Sequence, residues 1–158
     1  MEEQLNLFPE FDIKQEIIKG DALDVSAVDI FFQGDTNMHK NANTTIGYLK
    51  TLPPNTYIAF KKDGDGFPYL KNQKTGRIIK ARTSRGVYPA INLPRSRNMT
   101  VYCHRLFAIL FLKNPDTKFY TEVNHSDEDK LNFRLENLEW ITPSAHRKLT
   151  VQSTASKK

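Results

Sequence analysis

The order of local signals along this chain predicts an α+β fold, and three observations carry that expectation. Residues 56 to 103 alternate short β-prone runs with turn chemistry. "HRLFAILFLKNPD" then switches to a helical period, and residues from about 119 to 150 read as strand, polar loop, strand and helix. At 158 residues the chain holds one compact domain with a small appendage. The expected division is an acidic N-terminal appendage over 1–52, a basic strand-rich segment over 53–103, a C-terminal module over 104–150 and a disordered tail over 151–158.

In the appendage, "DIKQEIIKG" reads as a short helix, with Asp12 as N-cap, Ile13, Ile17 and Ile18 apolar, and Gly20 as stop. "AVDIFF" is apolar enough to pack on a neighbour, whereas "GDTNMHKNANTT" is expected to be a polar loop with His39 solvated. Pro53 and Pro54 punctuate the chain and mark a candidate boundary near residue 52. The strands follow as "TYIAF", "FPYLK", "RIIKA", "VYPAINL" and "MTVYC", separated by "KKDGDG", "NQKTG", "RTSRG" and "PRSRN". Leu106, Phe107, Leu110 and Phe111 then recur at helical spacing, as a core helix opened by His104 and Arg105. Packing or hydrogen bonding is the expected role of His104, with a site role as the alternative. "KFYTEVNH" is a strand, "DEDKLNFRLE" a polar excursion and "NLEWIT" a second strand. "PSAHRKLTV" is a helix, with Thr142 as N-cap and Pro143 at its first position.

Composition narrows the class. With 39% hydrophobic and 26% charged residues, the chain is ordinary for a soluble globular protein. It has no apolar run near the roughly 18 residues of a membrane span. "MEEQLNLFPEFD" lacks the basic-then-apolar order of a signal peptide, so a cytoplasmic protein without membrane association is expected. Cys103 is the single cysteine, which excludes an internal disulfide and a multi-cysteine zinc site. No structural zinc is expected, any metal must rest mainly on oxygen and imidazole ligands, and Cys103 reads as inert packing.

Charge is unevenly spread. Residues 1–50 carry net −5 and residues 51–158 net +10, and no acidic residue occurs from Lys71 to Pro115. Solvated faces usually mix signs, so this span reads as a footprint for a polyanion. Arg77, Lys80, Arg82, Arg85, Arg95, Arg97 and Arg105 fall within it, mostly in or beside turns. A twisted sheet with arginine-tipped loops suits a groove of double-stranded DNA; a basic surface kept for solubility is the alternative. Arg134, Arg147 and Lys148 are further candidates for flanking phosphates, or plain surface charges.

"EVNHSDEDKLNFRLENLEWITPSAH", residues 122–146, is the candidate site. A strand–loop–strand–helix unit brings the end of its first strand, the start of its second and the first turn of its helix together. Asn124 and His125 then lie near His146, with Asn137 alongside. A hard divalent cation, Mg²⁺ or Mn²⁺, suits the Asn124 amide oxygen and the His146 imidazole, completed by water and a substrate phosphate. His125, with an ordinary pKa near 6.5, suits a general base kept off the metal, and Asn137 is expected to fix its ring by hydrogen bonding. The same residues also fit plainer roles: Asn132 and Asn137 in turns, His125 at a strand end, His146 as a polar group at a helix start.

The ordered series His104 to Leu106, Asn114–Pro115, Val123 to His125, Asp127, Lys130 to Asn132, Glu136 to Trp140 and Thr142 resembles the HNH endonuclease family. Its phage and intron-borne homing branch, built on a ββα-metal (His-Me finger) motif, is the nearest. The resemblance covers about 45 residues closely and the basic strands before them loosely. It implies metal-dependent hydrolysis of DNA phosphodiesters with His125 as base, Asn137 as its orienter, and Asn124 and His146 at the metal. Three departures stand out: Asn124 where Asp or His is common, Glu128–Asp129 where Gly-Asn is usual, and Phe133 in place of a second Asn. Leu138 and Trp140 read as the motif's small core. Two other readings stay open: a DNA-binding protein that keeps the fold without cleavage, and a regulatory protein whose acidic segment covers its basic face. Separately, "QLNLF", with Gln4, Leu5, Leu7 and Phe8 as its contacts, is similar to the short peptide by which bacterial replication and repair proteins dock on the sliding clamp.

Overall fold

Thr36 caps a helix where the local polarity of the sequence predicts a loop. In the computed structural model, which describes residues 22–61, 66–83, 88–93 and 99–156, helix α1 spans Asn37–Lys50. The Thr36 side chain accepts from the His39 backbone N–H, and Ile46 and Leu49 are buried on one face with His39. The polar residues of 34–45 hid an amphipathic period, because only one side of α1 meets protein. His39 is buried rather than solvated: its Nε2 lies 2.7 Å from the Lys118 carbonyl and its Nδ1 2.5 Å from Thr36 Oγ1. Gly34 lies so close that a Cβ there would strike the His39 ring. The Asn43 amide bonds both the N–H and the C=O of Phe32, which pins the "AVDIFF" segment to α1.

Strands β1 (Ala22–Asp24), β2 (Tyr57–Phe60), β3 (Tyr69–Asn72) and β4 (Ile78–Ile79) form an antiparallel sheet in that order. β1 joins β2 across the proline pair, and Asp24 accepts from the Asn55 N–H, so residues on both sides of position 52 share one sheet. β5 (Ala90–Leu93) pairs with β6 (Met99–Tyr102), and β7 (Glu122–His125) with β8 (Leu138–Ile141). The turn before β4 shows why its residues are there: Asn72 Oδ1 accepts from the Lys74 and Thr75 N–H groups, and Gly76 takes a φ of 71° that favours glycine.

Helix α2 (Cys103–Phe111) is buried along almost its whole length, as its run of Leu, Phe, Ala and Ile dictates. Its side chains join Val25, Phe32, Leu49, Leu70, Val123, Leu138 and Trp140 in one core, to which α1, the sheet strands and the β7–β8 hairpin all contribute. At about 1.5–3 kcal/mol for each large apolar side chain, this burial is the main term holding the elements in place. Trp140 packs on Phe32 at 5.4 Å, and its Nε1–H reaches the Leu112 carbonyl. Burial pushes the Cys103 thiol up to about 12, which keeps it an inert neutral group.

Helix α3 (Pro143–Ser156) opens as expected, with Thr142 Oγ1 accepting from the Ala145 N–H. It continues through Ser156, so most of the expected disordered tail is helical. No helix among the described residues is long and apolar enough to cross a membrane. The expected helix at 12–20, the Gln4, Leu5, Leu7 and Phe8 segment, and Arg85, Arg95 and Arg97 lie outside the described residues.

Candidate active site

The β7–β8 hairpin sets Asn124 directly opposite Glu139. Side chains in register on one face of an antiparallel pair touch, and here the Asn124 Nδ2–H donates to Glu139 Oε1 at 2.9 Å. That contact fixes the amide orientation and leaves Oδ1 as its acceptor end. Two residues earlier on the same face, Glu122 meets α3: its Oε1 lies 3.3 Å from His146 Nδ1. A carboxylate only accepts, so Nδ1 is the donor of this contact and Nε2 is the nitrogen left for a metal. Each expected metal ligand is thus held by a glutamate of the hairpin, the arrangement by which outer carboxylates orient the inner ligands of a metal. An amide oxygen and an imidazole nitrogen suit a divalent cation that keeps several waters. No cluster of three or more His, Cys, Asp or Glu side chains suited to a metal occurs among the described residues.

His125 ends β7 on the opposite, inward face. It is 6% exposed, its ring is 5.0 Å from that of His104 and 5.8 Å from that of Tyr88, and its Nε2 has no hydrogen-bond partner among the described residues. Burial lowers its pKa, and the carboxylates of Asp127 and Asp129 oppose that shift. The neutral form is favoured, as a proton acceptor requires.

Asn137 does not orient that ring. Its Oδ1 accepts from the Asp127 N–H, and its Nδ2 donates to Asp127 Oδ1 and to the Asn132 carbonyl. Its own carbonyl accepts from the Ser126 N–H. The amide is spent on stapling the loop 126–132 to the start of β8, so its effect on His125 passes through the backbone. Asp127 accepts from Asn132, from the Asp129 N–H and from Asn137, and these bonds hold its carboxyl below the usual range. The loop is stiffened by side chain-to-backbone bonds, with Asp129 Oδ1 also accepting from the Leu131 N–H.

Two departures from the family pattern gain a physical reading. Phe133 is buried, 5.9 Å from the Phe107 ring and 4.8 Å from that of Phe67, and so anchors the loop apolarly where an asparagine would use hydrogen bonds. Glu128 has a φ of 63°, the left-handed region that a glycine would occupy without cost.

The basic candidates divide. Arg77, Lys80, Arg82 and Arg147 are exposed, whereas Arg105 is half-buried with Nη1 3.7 Å from Met38 Sδ on α1. Arg134 stacks its guanidinium 4.1 Å over the Phe67 ring and also bonds Asn132, so it braces the loop. Sequence reading missed Glu122, Glu139 and Tyr88. The first two are detectable only once the hairpin register is known, and Tyr88 has no local signal at all.

Comparison with known proteins locates the same segment. Residues 101–148 match the family model described as HNH endonuclease. An uncharacterized HNH endonuclease, L247 of Acanthamoeba polyphaga mimivirus, is 40% identical over 80 residues, which cover 49% of this chain and 20% of that protein. The H-N-H endonuclease F-TflII of Escherichia phage T5 is 33% identical over 89 residues, covering 54% of this chain and 46% of its own. The chain thus spans less than half the length of these relatives. A solved structure of the HNH homing endonuclease I-HmuI aligns with 66% of this chain and 54% of its own, at 25% identity and a TM-score of 0.49.

Proposed function

We propose, from the match of residues 101–148 to the HNH endonuclease family model, that the chain hydrolyses phosphodiester bonds of double-stranded DNA with a divalent cation. The observation that best supports this reading is the pair of carboxylate-held ligands, Asn124 beside His125 on β7 and His146 on the adjoining helix α3.

Asn124 Oδ1 and His146 Nε2 would hold the cation, Mg²⁺ or Mn²⁺, which supplies charge neutralisation at the leaving oxygen. His125 takes a proton from water at Nδ1, the nitrogen that is not sealed against His104, as the water oxygen bonds to phosphorus. The bond from phosphorus to the 3′ oxygen breaks, and that oxygen gains a proton from solvent. Asn137 keeps the loop after His125 closed, so the base does not swing away. Arg77, Lys80, Arg82 and Arg147, with Arg105 beside α1, carry the phosphate contacts that fix the duplex in register.

Conversion of supercoiled plasmid with Mg²⁺, Mn²⁺ or EDTA tests this reading. The wild-type protein is expected to cleave only with metal, and His125→Ala to lower the rate by about 10²–10⁴ while leaving DNA affinity unchanged. Tight, salt-sensitive binding in EDTA with equal traces of cleavage by both proteins would replace it with the non-cleaving DNA binder.

A further inference from the structure

Something other than Asn137 must orient the base, and the structure offers one arrangement of rings for it. Tyr88, His104 and His125 form a triangle, with centroids 4.6 Å apart for Tyr88–His104, 5.8 Å for Tyr88–His125 and 5.0 Å for His104–His125. Lys130 Nζ lies 5.3 Å from the centre of the Tyr88 ring, over its face. His104 sits at the first turn of α2 and is 5% exposed. Only two buried side-chain polar atoms lack a hydrogen-bond partner among the described residues, and they belong to adjacent rings: His104 Nδ1 and His125 Nε2.

A buried polar atom without a partner is destabilising, and an apolar ring of the same shape would remove that penalty. Packing alone therefore does not account for a histidine at 104, where phenylalanine would pack as well and cost less. Resting on the hydrolytic reading above, we propose that His104 is the positioning residue of the base. Its ring, with Tyr88, clamps the imidazole of His125. Its Nδ1 accepts from the Nε2–H of the imidazolium that His125 becomes on taking the proton of water at Nδ1. His104 itself gains no proton in this step: the proton stays on His125 and the interaction is a hydrogen bond. Burial, assisted by the neighbouring His125 and Arg105 charges, lowers the His104 pKa to about 3, which keeps this acceptor neutral.

The combination of stability and turnover tests the proposal, because the two readouts move in opposite directions. His104→Phe keeps a ring and removes the acceptor. Its thermal midpoint is expected to equal or exceed that of the wild type, its KM for plasmid to stay the same, and its kcat to fall by about 10- to 100-fold. His104→Gln keeps an acceptor without the ring and should recover part of the loss. Tyr88→Leu loosens the clamp and should also lower kcat with KM unchanged. A His104→Phe protein that is as stable and cleaves as fast as the wild type would reduce His104 to core packing. One that is less stable and loses kcat and KM together would make it a structural residue. A wild-type protein that cleaves no DNA under any metal overturns the hydrolytic reading itself, and this inference with it.

Discussion

His39 and the His104–His125 pair are buried to the same degree, between 5% and 6% exposed, yet they differ in what surrounds their nitrogens. Both nitrogens of His39 are occupied, one by Thr36 and one by the Lys118 carbonyl, and the residue ties α1 to the segment leading into β7. His104 Nδ1 and His125 Nε2 have no partner among the described residues. Burial alone therefore does not distinguish these histidines; an unmet hydrogen-bonding need does. The satisfied imidazole belongs to the architecture, and the unsatisfied pair lies within the segment shared with endonucleases.

The contrast can be broken at either end. Replacing His39 with leucine strands the Lys118 carbonyl and removes two bonds, so unfolding in urea should show a loss of about 2–3 kcal/mol. Cleavage per folded molecule should stay at the wild-type value; a drop in kcat at full folding would blur the distinction between the two histidine environments. Acid sharpens the contrast from the other side. His104 is held to about 3 in the folded chain against 6.5 in the unfolded one, so below pH 6.5 the unfolded state binds the extra proton. Stability should then fall as pH drops from about 6.5 toward 3, with His104 contributing up to about 1.4 kcal/mol per pH unit. In His104→Phe that contribution disappears, and urea titrations at pH 7, 6 and 5 should show the flatter slope; an unchanged slope would mean that His104 is solvated when folded. The smallest effect concerns the loop between the two strands. Glu128→Gly relieves the left-handed backbone at φ 63° and should raise stability by about 1 kcal/mol, read as a rise of a few degrees in thermal midpoint. No gain would mean that the loop's network of Asp127, Asp129 and Asn132 already dictates that conformation without strain.

Much of the architecture was legible because it rests on local period. Alternation and turn residues marked β2, β3, β5 and β6, and the run from Leu106 to Phe111 marked α2, since these are the signals that burial on one face or all round imposes on a strand or helix. Helix α1 escaped because its apolar face is narrow and interrupted by Asn, Thr and His, whose partners are distant in sequence. Asn43 is used by Phe32, and His39 by Lys118. Continuation of α3 to Ser156 was equally hidden, since "QSTAS" has no apolar period to announce it.

The sequence by itself determined the α+β class, the acid-free basic span, the spacing of Asn124, His125 and His146, and the absence of an internal disulfide. Each follows from residue chemistry or from the distance between neighbours along the chain. The tertiary structure alone decided which groups meet. Register set Glu139 against Asn124, helix docking brought Glu122 to His146, loop closure took Asn137 away from the His125 ring, and burial of α2 set His104 beside it. Those contacts join residues up to tens of positions apart, and only packing, which no local pattern encodes, determines whether such side chains touch.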